Sequence, residues 1–89
     1  MVTKTFVIKN KVGLHARPAS VLVQAANKFK SDIKIEKDGK EVSAKSILGV
    51  LSLGAEKGSV ISVTIDGPDE DEAIKTIEEL VNNNFGDPE

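Results

Sequence analysis

Four segments of the chain alternate between apolar and polar residues, which is the period of a β-strand with one buried face. The strands are predicted over residues 2–8, 33–36, 40–43 and 59–66. The second and third are joined by Asp38-Gly39, a dipeptide typical of a two-residue hairpin turn. Because the alternation is regular, we expect one face of the sheet to be wet and the other to be covered by helices.

Apolar residues spaced three and four positions apart predict helices between these strands. A first helix is predicted over 16–27 and a second, shorter helix over 46–53. Ser46 is the expected N-cap of the second helix, and Gly54 is expected to end it in a left-handed conformation. The inward stripe of the first helix is expected to comprise Ala19, Leu22, Val23, Ala26 and Phe29.

A third helix is predicted to begin at Asp69, which has the spacing of a capping box with Glu72. The acidic run at 69–72 is interpreted as a solvated helix start, because the helix dipole favours carboxylates there. Residues 82–89 are expected to fray. The core stripe of this helix is expected to comprise Ala73, Ile74, Ile77, Leu80 and Val81.

The predicted order of elements is β-α-β-β-α-β-α, which is typical of an α+β, two-layer open-faced sandwich. The 89 residues are expected to form a single domain, 1–89. A domain of this size holds one core and no deep cleft. Any chemistry is therefore expected at the surface, where a partner supplies the other wall.

Composition narrows the possible partners and cofactors. With no cysteine and one histidine, thiolate ligands are excluded, and we expect neither a metal nor another cofactor. A formal net charge of −2 and only three aromatic residues favour a protein partner over nucleic acid. No segment has the pattern of a signal peptide or a membrane span, so we expect a cytoplasmic protein with no membrane partner.

The only histidine, His15, stands where a loop becomes the first helix. A lone histidine in a small domain is more often structural, but the first N–H groups of a helix are unpaired and attract anions. His15 is therefore a candidate nucleophile, Arg17 a candidate counter-charge, and the amides of Ala16 and Arg17 candidate phosphate ligands. With His15 as N-cap, Pro18 is the third helical residue, although its effect on the preceding residue leaves a one-residue shift open.

The second helix is strongly apolar for its length. At least two of its apolar residues are expected in the core, because even a short helix must bury one face. Ile47, Leu48 and Leu51 are candidates for an exposed surface that binds partners beside His15. A phosphate on Ser46 would be favoured by the helix dipole and would add negative charge next to this surface.

Two motifs together carry a resemblance to a known family. Val12-Gly-Leu-His-Ala-Arg-Pro-Ala-Ser20 is followed, later in the chain, by Lys45-Ser-Ile-Leu-Gly-Val-Leu-Ser-Leu-Gly54. Over essentially its whole length the chain resembles the HPr family, the histidine-containing phosphocarriers of the bacterial sugar phosphotransferase system. The resemblance implies an antiparallel sheet of strand order 1-4-2-3 with three helices on one face.

The resemblance also implies roles for individual residues. His15 maps onto the histidine that accepts a phosphoryl group at Nδ1 from phosphoenolpyruvate through enzyme I, and then passes it to enzyme IIA proteins. Arg17 maps onto the arginine that contacts this group. Ser46 maps onto a serine that HPr kinase/phosphorylase modifies in many Gram-positive-type members, and the phosphoserine form acts as corepressor for a catabolite-control transcription factor. We expect a monomer without independent turnover.

Two other functions are compatible with the residues alone. A small enzyme of the acylphosphatase kind is also α+β and holds phosphate with an arginine and backbone amides, but it needs no histidine. A purely regulatory binding protein needs only Ser46, and a related paralogue of the family lacks the histidine and keeps the serine. The chain departs from many members at Leu48 and Leu51, where they carry methionine, and at Val12, where several carry a small hydroxylated or similar residue.

Overall fold

The computed structural model of the protein describes residues 1–86. The strands are β1 (Val2–Val7), β2 (Asp32–Lys37), β3 (Lys40–Ser43) and β4 (Val60–Asp66). The helices are α1 (Ala16–Ala26), α2 (Ile47–Ser52) and α3 (Glu70–Asn82), and a 3-10 turn follows at Asn84–Gly86. Every predicted strand and helix is therefore present, in the predicted order.

The four strands form one antiparallel sheet of order β1-β4-β2-β3, which confirms the α+β class and the expected topology. The last strand in the sequence, β4, lies between the first two, with Phe6 opposite Ile61 and Ile35 opposite Val63. The hairpin between β2 and β3 turns at Asp38-Gly39, where both residues have positive φ, 52° and 84°. Positive φ at both positions matches the right-handed twist of the flanking strands.

The core lies between one face of the sheet and the helices. In β2 and β4 alternate residues are fully buried, whereas their neighbours lie on the other face, where Lys34 and Glu36 are exposed. Burying each isoleucine, leucine or valine stabilises the fold by roughly 1.5–3 kcal/mol. The buried strand residues include Ile33, Ile35, Ile61, Val63 and Ile65, and the buried helix residues include Ala19, Leu22, Ala26, Ala73, Ile77 and Val81.

The predicted helix stripes pack as expected. Val23, Phe29, Ile74 and Leu80 are partly buried against the same core. This packing fixes the position of α1 on the sheet, and with it the position of the first residue of the helix. None of the helices within residues 1–86 has both the length and the apolar composition needed to cross a membrane.

The predicted capping box at the start of α3 is wrong. Asp69 is the N-cap residue, but its side chain makes no capping hydrogen bond. Its carboxylate instead accepts hydrogen bonds from the amides of Lys30 and Ser31 and from the Ser31 hydroxyl. Glu72 is exposed, and Glu70 accepts the Gly67 N–H at 3.1 Å. The first two carboxylates of the acidic run are therefore structural rather than merely solvated.

The expectation that residues 82–89 fray is also wrong where the structure describes them. α3 continues through Asn82, and Phe85 is buried in the core after it. The side chain reaches the core because Asn84 and Phe85 both take left-handed conformations, with φ of 53° and 54°, and the 3-10 turn packs on α1 and α3. The end of the predicted frayed segment, 87–89, lies outside the described residues.

Candidate functional site

His15 is the N-cap residue of α1, in the predicted register. Its backbone is extended, with φ −75° and ψ −173°, and Ala16 begins the helix. The His15 carbonyl accepts the Ala19 N–H at 2.9 Å, which is the first i→i−4 hydrogen bond of α1. The exposed imidazole makes no capping hydrogen bond with its own helix. The ring is therefore available to a ligand or a partner.

An anion beside this ring could accept hydrogen bonds from two backbone amides at the start of α1. The N–H groups of Ala16 and Arg17 precede the first i→i−4 hydrogen bond, and the buried Pro18 has no N–H. Pro18 fits without shifting the helix, because the first-turn amides have no partners inside the helix. Arg17 is exposed and pairs with no carboxylate in the part of the chain that the structure describes.

The loop that precedes His15 is attached to the segment that follows α2. The Leu14 N–H donates to the Ala55 carbonyl at 2.8 Å, and the Leu14 side chain is buried. Gly13 has a left-handed φ of 65° at this contact. The position of His15 therefore depends on a long-range contact as well as on its own helix.

The second helix divides its apolar residues between the core and the surface, as predicted. Val50 and Leu53 are buried, whereas Leu48 is 77 % exposed and Ile47 and Leu51 are each 38 % exposed. We call the last three residues the apolar patch.

The predicted signals at both ends of α2 are present in the structure. The Ser46 side chain accepts the Gly49 N–H at 3.1 Å, so it is the predicted N-cap. Gly54 has a left-handed φ of 61° after the end of the helix. These two residues fix the length of α2, and hence the extent of the surface on which the apolar patch lies.

The apolar patch lies between Ser46 and His15. At the start of α2, the Asn27 side chain, at the C-terminal end of α1, donates to the Lys45 carbonyl at 3.3 Å. Beyond the end of α2, Ala55 contacts Leu14 beside the start of α1. The eleven residues of α1 span about 16 Å. Ser46 and His15 are therefore at opposite ends of α1, and the structure does not bring them together.

Comparison with known proteins identifies the family of the chain. A family model described as the PTS HPr component phosphorylation site matches residues 2–83. The chain is 50 % identical to HPr-C-His from Thermoanaerobacter tengcongensis, with a TM-score of 0.96 and complete coverage of both chains. It is 49 % identical to the phosphocarrier protein HPr from Bacillus anthracis, with a TM-score of 0.87 over 90 % of this chain and 95 % of that one.

The chain is also similar to Crh of Bacillus subtilis, a catabolite repression protein whose structure is a dimer with a swapped domain. This similarity is 43 % identity and a TM-score of 0.75, over 94 % of this chain and 97 % of Crh. The family match covers nearly the whole described chain, including both motifs that begin the helices α1 and α2. The chain therefore belongs to the HPr family of phosphocarrier proteins of the phosphotransferase system.

Proposed function

We propose that the chain accepts a phosphoryl group on His15 from enzyme I, with phosphoenolpyruvate as the original donor, and passes it to enzyme IIA proteins for sugar uptake. The observation that carries this proposal is the exposed imidazole at the start of α1, which no capping hydrogen bond occupies, with Arg17 two residues away. This arrangement places a nucleophile beside unpaired amides and a permanent positive charge.

The transfer step requires one unprotonated ring nitrogen, Nδ1 by analogy with the family. Its lone pair forms the bond to phosphorus as the bond between phosphorus and the donor group of enzyme I breaks. Negative charge on the three equatorial oxygens is then compensated by the amides of Ala16 and Arg17 and by the Arg17 guanidinium. The reverse sequence, with an enzyme IIA nucleophile attacking phosphorus, returns His15 to its starting state.

A carrier must also release the group that it accepts. Two backbone amides and one exposed guanidinium form a shallow site, which supports transfer in both directions rather than tight retention. The same shallowness leaves phosphorus accessible to the nucleophile of the next protein. We therefore assign no independent turnover to the chain, in contrast to an enzyme of the acylphosphatase kind.

The apolar patch is the proposed docking surface for enzyme I and enzyme IIA proteins. Ile47, Leu48 and Leu51 are exposed, and the segment after α2 contacts the loop that bears His15. Apolar contact there would bring the active site of a partner over the start of α1. We further propose that the chain acts in the cytoplasm and that it is a monomer. Gel filtration would distinguish a monomer from a dimer like that of Crh.

Ser46 is the proposed site of regulatory phosphorylation. It is exposed, and it lies next to the apolar patch rather than next to His15. The similarity to Crh supports a link with catabolite repression. We propose HPr kinase/phosphorylase as the modifying enzyme and a catabolite-control transcription factor as the partner of the phosphoserine form.

The test is incubation with phosphoenolpyruvate and purified enzyme I, followed by intact mass measurement. We expect a gain of one phosphate that is labile in acid and stable in base, which distinguishes phosphohistidine from phosphoserine. His15→Ala should remain folded and gain no phosphate. Full labelling of the alanine variant contradicts the assignment, and steady hydrolysis of an acyl phosphate by the chain alone favours the enzyme instead.

A further inference from the structure

Asn10 is fully buried, although it lies in the loop between β1 and α1, five residues before His15. A buried amide side chain costs free energy unless it is hydrogen-bonded. Asn10 donates from Nδ2 to the Gly13 carbonyl at 2.7 Å. The Gly13 N–H in turn donates to the Asn10 carbonyl at 3.1 Å, so the four-residue turn is closed by its backbone and again by its side chain.

The peptide group between Gly13 and Leu14 is held on both sides. Its carbonyl accepts from Asn10, and its N–H donates to the Ala55 carbonyl at 2.8 Å. Gly13 also passes so close to the other segment that an added Cβ would lie 2.5 Å from the Ala55 oxygen and from the Cα of Glu56. Rotation of this peptide plane would therefore break both hydrogen bonds, and a side chain at position 13 would collide with the neighbouring backbone.

This peptide group, with both of its polar atoms hydrogen-bonded, lies one residue before His15. The imidazole is not fixed by a capping hydrogen bond, and its backbone is an extended residue between the held peptide and the first turn of α1. The direction in which the ring leaves the chain thus depends on the orientation of the Gly13-Leu14 peptide.

We infer that Asn10 is a positioning residue for phosphoryl transfer: by holding the Gly13 carbonyl, it orients the peptide that presents His15 to the donor. The inference rests on the proposed function of His15 and adds to it a residue that does not contact the phosphoryl group. An error in the approach of a nucleophile lowers the rate of the chemical step while leaving docking intact. Asn10 should therefore act on kcat rather than on the KM for the carrier.

The experiment compares Asn10→Ala, Asn10→Ser and Ser31→Ala in the full-length chain. Ser31 is the matched control, because it is also a buried polar residue outside the strands and helices, and its side chain donates a hydrogen bond to Asp69, beyond the opposite end of α1. Each variant is measured as a substrate of enzyme I, and its thermal unfolding is recorded beside it. Serine retains a hydroxyl donor at position 10, so it tests rescue of the lost hydrogen bond.

We expect Asn10→Ala to lower kcat roughly ten-fold with little change in KM, and Asn10→Ser to recover part of the loss. Ser31→Ala should lower the unfolding temperature at least as much as Asn10→Ala does. Its kcat should nevertheless stay close to that of the parent chain. Equal kcat values in the Asn10 and Ser31 variants overturn the inference. If the alanine variant does not fold, the serine variant decides between the same two outcomes, whereas an unlabelled parent chain counts against the proposed function itself.

Discussion

At the scale of single residues, two charged side chains near opposite ends of α1 have different tasks. Arg17, in the first turn, is exposed and pairs with no carboxylate within residues 1–86, so its charge is available to a ligand. Asp69 accepts three hydrogen bonds from the loop after α1, given by the amides of Lys30 and Ser31 and by the Ser31 hydroxyl. One charge is thus left for function, while the other is used by the fold.

Arg17→Lys should not be a conservative change. Lysine keeps the charge but loses the planar fork that contacts two phosphoryl oxygens at once. We expect enzyme I-dependent labelling to slow by roughly ten-fold, with an unchanged unfolding temperature because Arg17 is exposed. Lys28→Arg, an exposed cation just beyond α1, is the control and should leave the rate unaltered. Wild-type rates in both transfer directions for the lysine variant would remove Arg17 from the site.

Asp69 should make the fold depend on pH in the acid range. The Ser31 hydroxyl and the Lys30 amide, in that order, lower the pKa of Asp69 from 3.8 to about 2. Because the pKa is lower in the folded state, the contribution of Asp69 to stability is complete above pH 3.8 and disappears as the pH falls towards 2. Asp69→Asn should be less stable at neutral pH and should lose less stability than the parent between those values. Parallel curves from urea titrations at several pH values would contradict this.

At the scale of elements, α2 shows how a helix too short to be stable alone can carry a surface. Six residues cannot form an isolated helix in water. α2 forms because Val50 is buried, Leu53 continues the buried face beyond it, and Ser46 caps the first turn. The outward residues are therefore not needed for the fold, which leaves the apolar patch available to partners.

Leu48→Ser should weaken docking without weakening the fold. Leu48 is the most exposed residue of the apolar patch, so its removal costs little folding free energy. We expect the KM of enzyme I for the carrier to rise several-fold, since apolar contacts at an interface core carry much of the affinity. The matched control is Val60→Ser, an exposed apolar residue on the open face of the sheet. An equal KM for both variants would show that the patch is not the docking surface.

Ser46→Asp should weaken labelling without lowering stability, whereas Ser46→Ala should lower stability without weakening labelling. Aspartate at the start of α2 is favoured by the helix dipole and retains a capping oxygen, so stability should be kept or raised. Its charge beside the apolar patch should nevertheless weaken enzyme I-dependent labelling, through KM, because Ser46 lies at the other end of α1 from His15. Alanine should destabilise the fold by about 0.5–2 kcal/mol and leave labelling intact. Unchanged labelling of the aspartate variant at low salt, where charges are least screened, would show that a charge at Ser46 does not affect phosphorylation at His15.

At the scale of the whole molecule, the sequence predicts the turns and helix starts that depend on neighbouring residues, but not the contacts between distant segments. Asp38-Gly39 and Ser46 act through neighbouring residues, so the hairpin and the start of α2 follow directly from pattern. Asp69 instead bonds to Ser31, which is distant in sequence, and Phe85 is buried only because the chain turns back onto α1 and α3.

The same distinction applies to the candidate site. His15 as N-cap and Arg17 beside it could be predicted, because both depend on one helix start. The contact of Leu14 with Ala55 could not be predicted, since it joins segments that only the folded sheet brings together. The hydrogen bond of Asn10 to Gly13 lies within one turn, but the burial of Asn10 depends on the packing of the whole domain. The strand order could be predicted from the resemblance to the family, but not from the alternation of apolar and polar residues.

The pairing of β1 with β4 determines when the protein can begin to work during its synthesis. Val2 pairs with Ile65 and Val7 with Val60, so β1 has no partner strand until β4, the last strand of the sheet, has been made. Contacts between distant parts of a chain form late and slowly. We therefore expect β1 to stay unpaired in the nascent chain, accessible to chaperones and proteases, until β4 has been made. His15 is made before Ala55, so the contact between Leu14 and Ala55 beside it forms only after that later segment has been made.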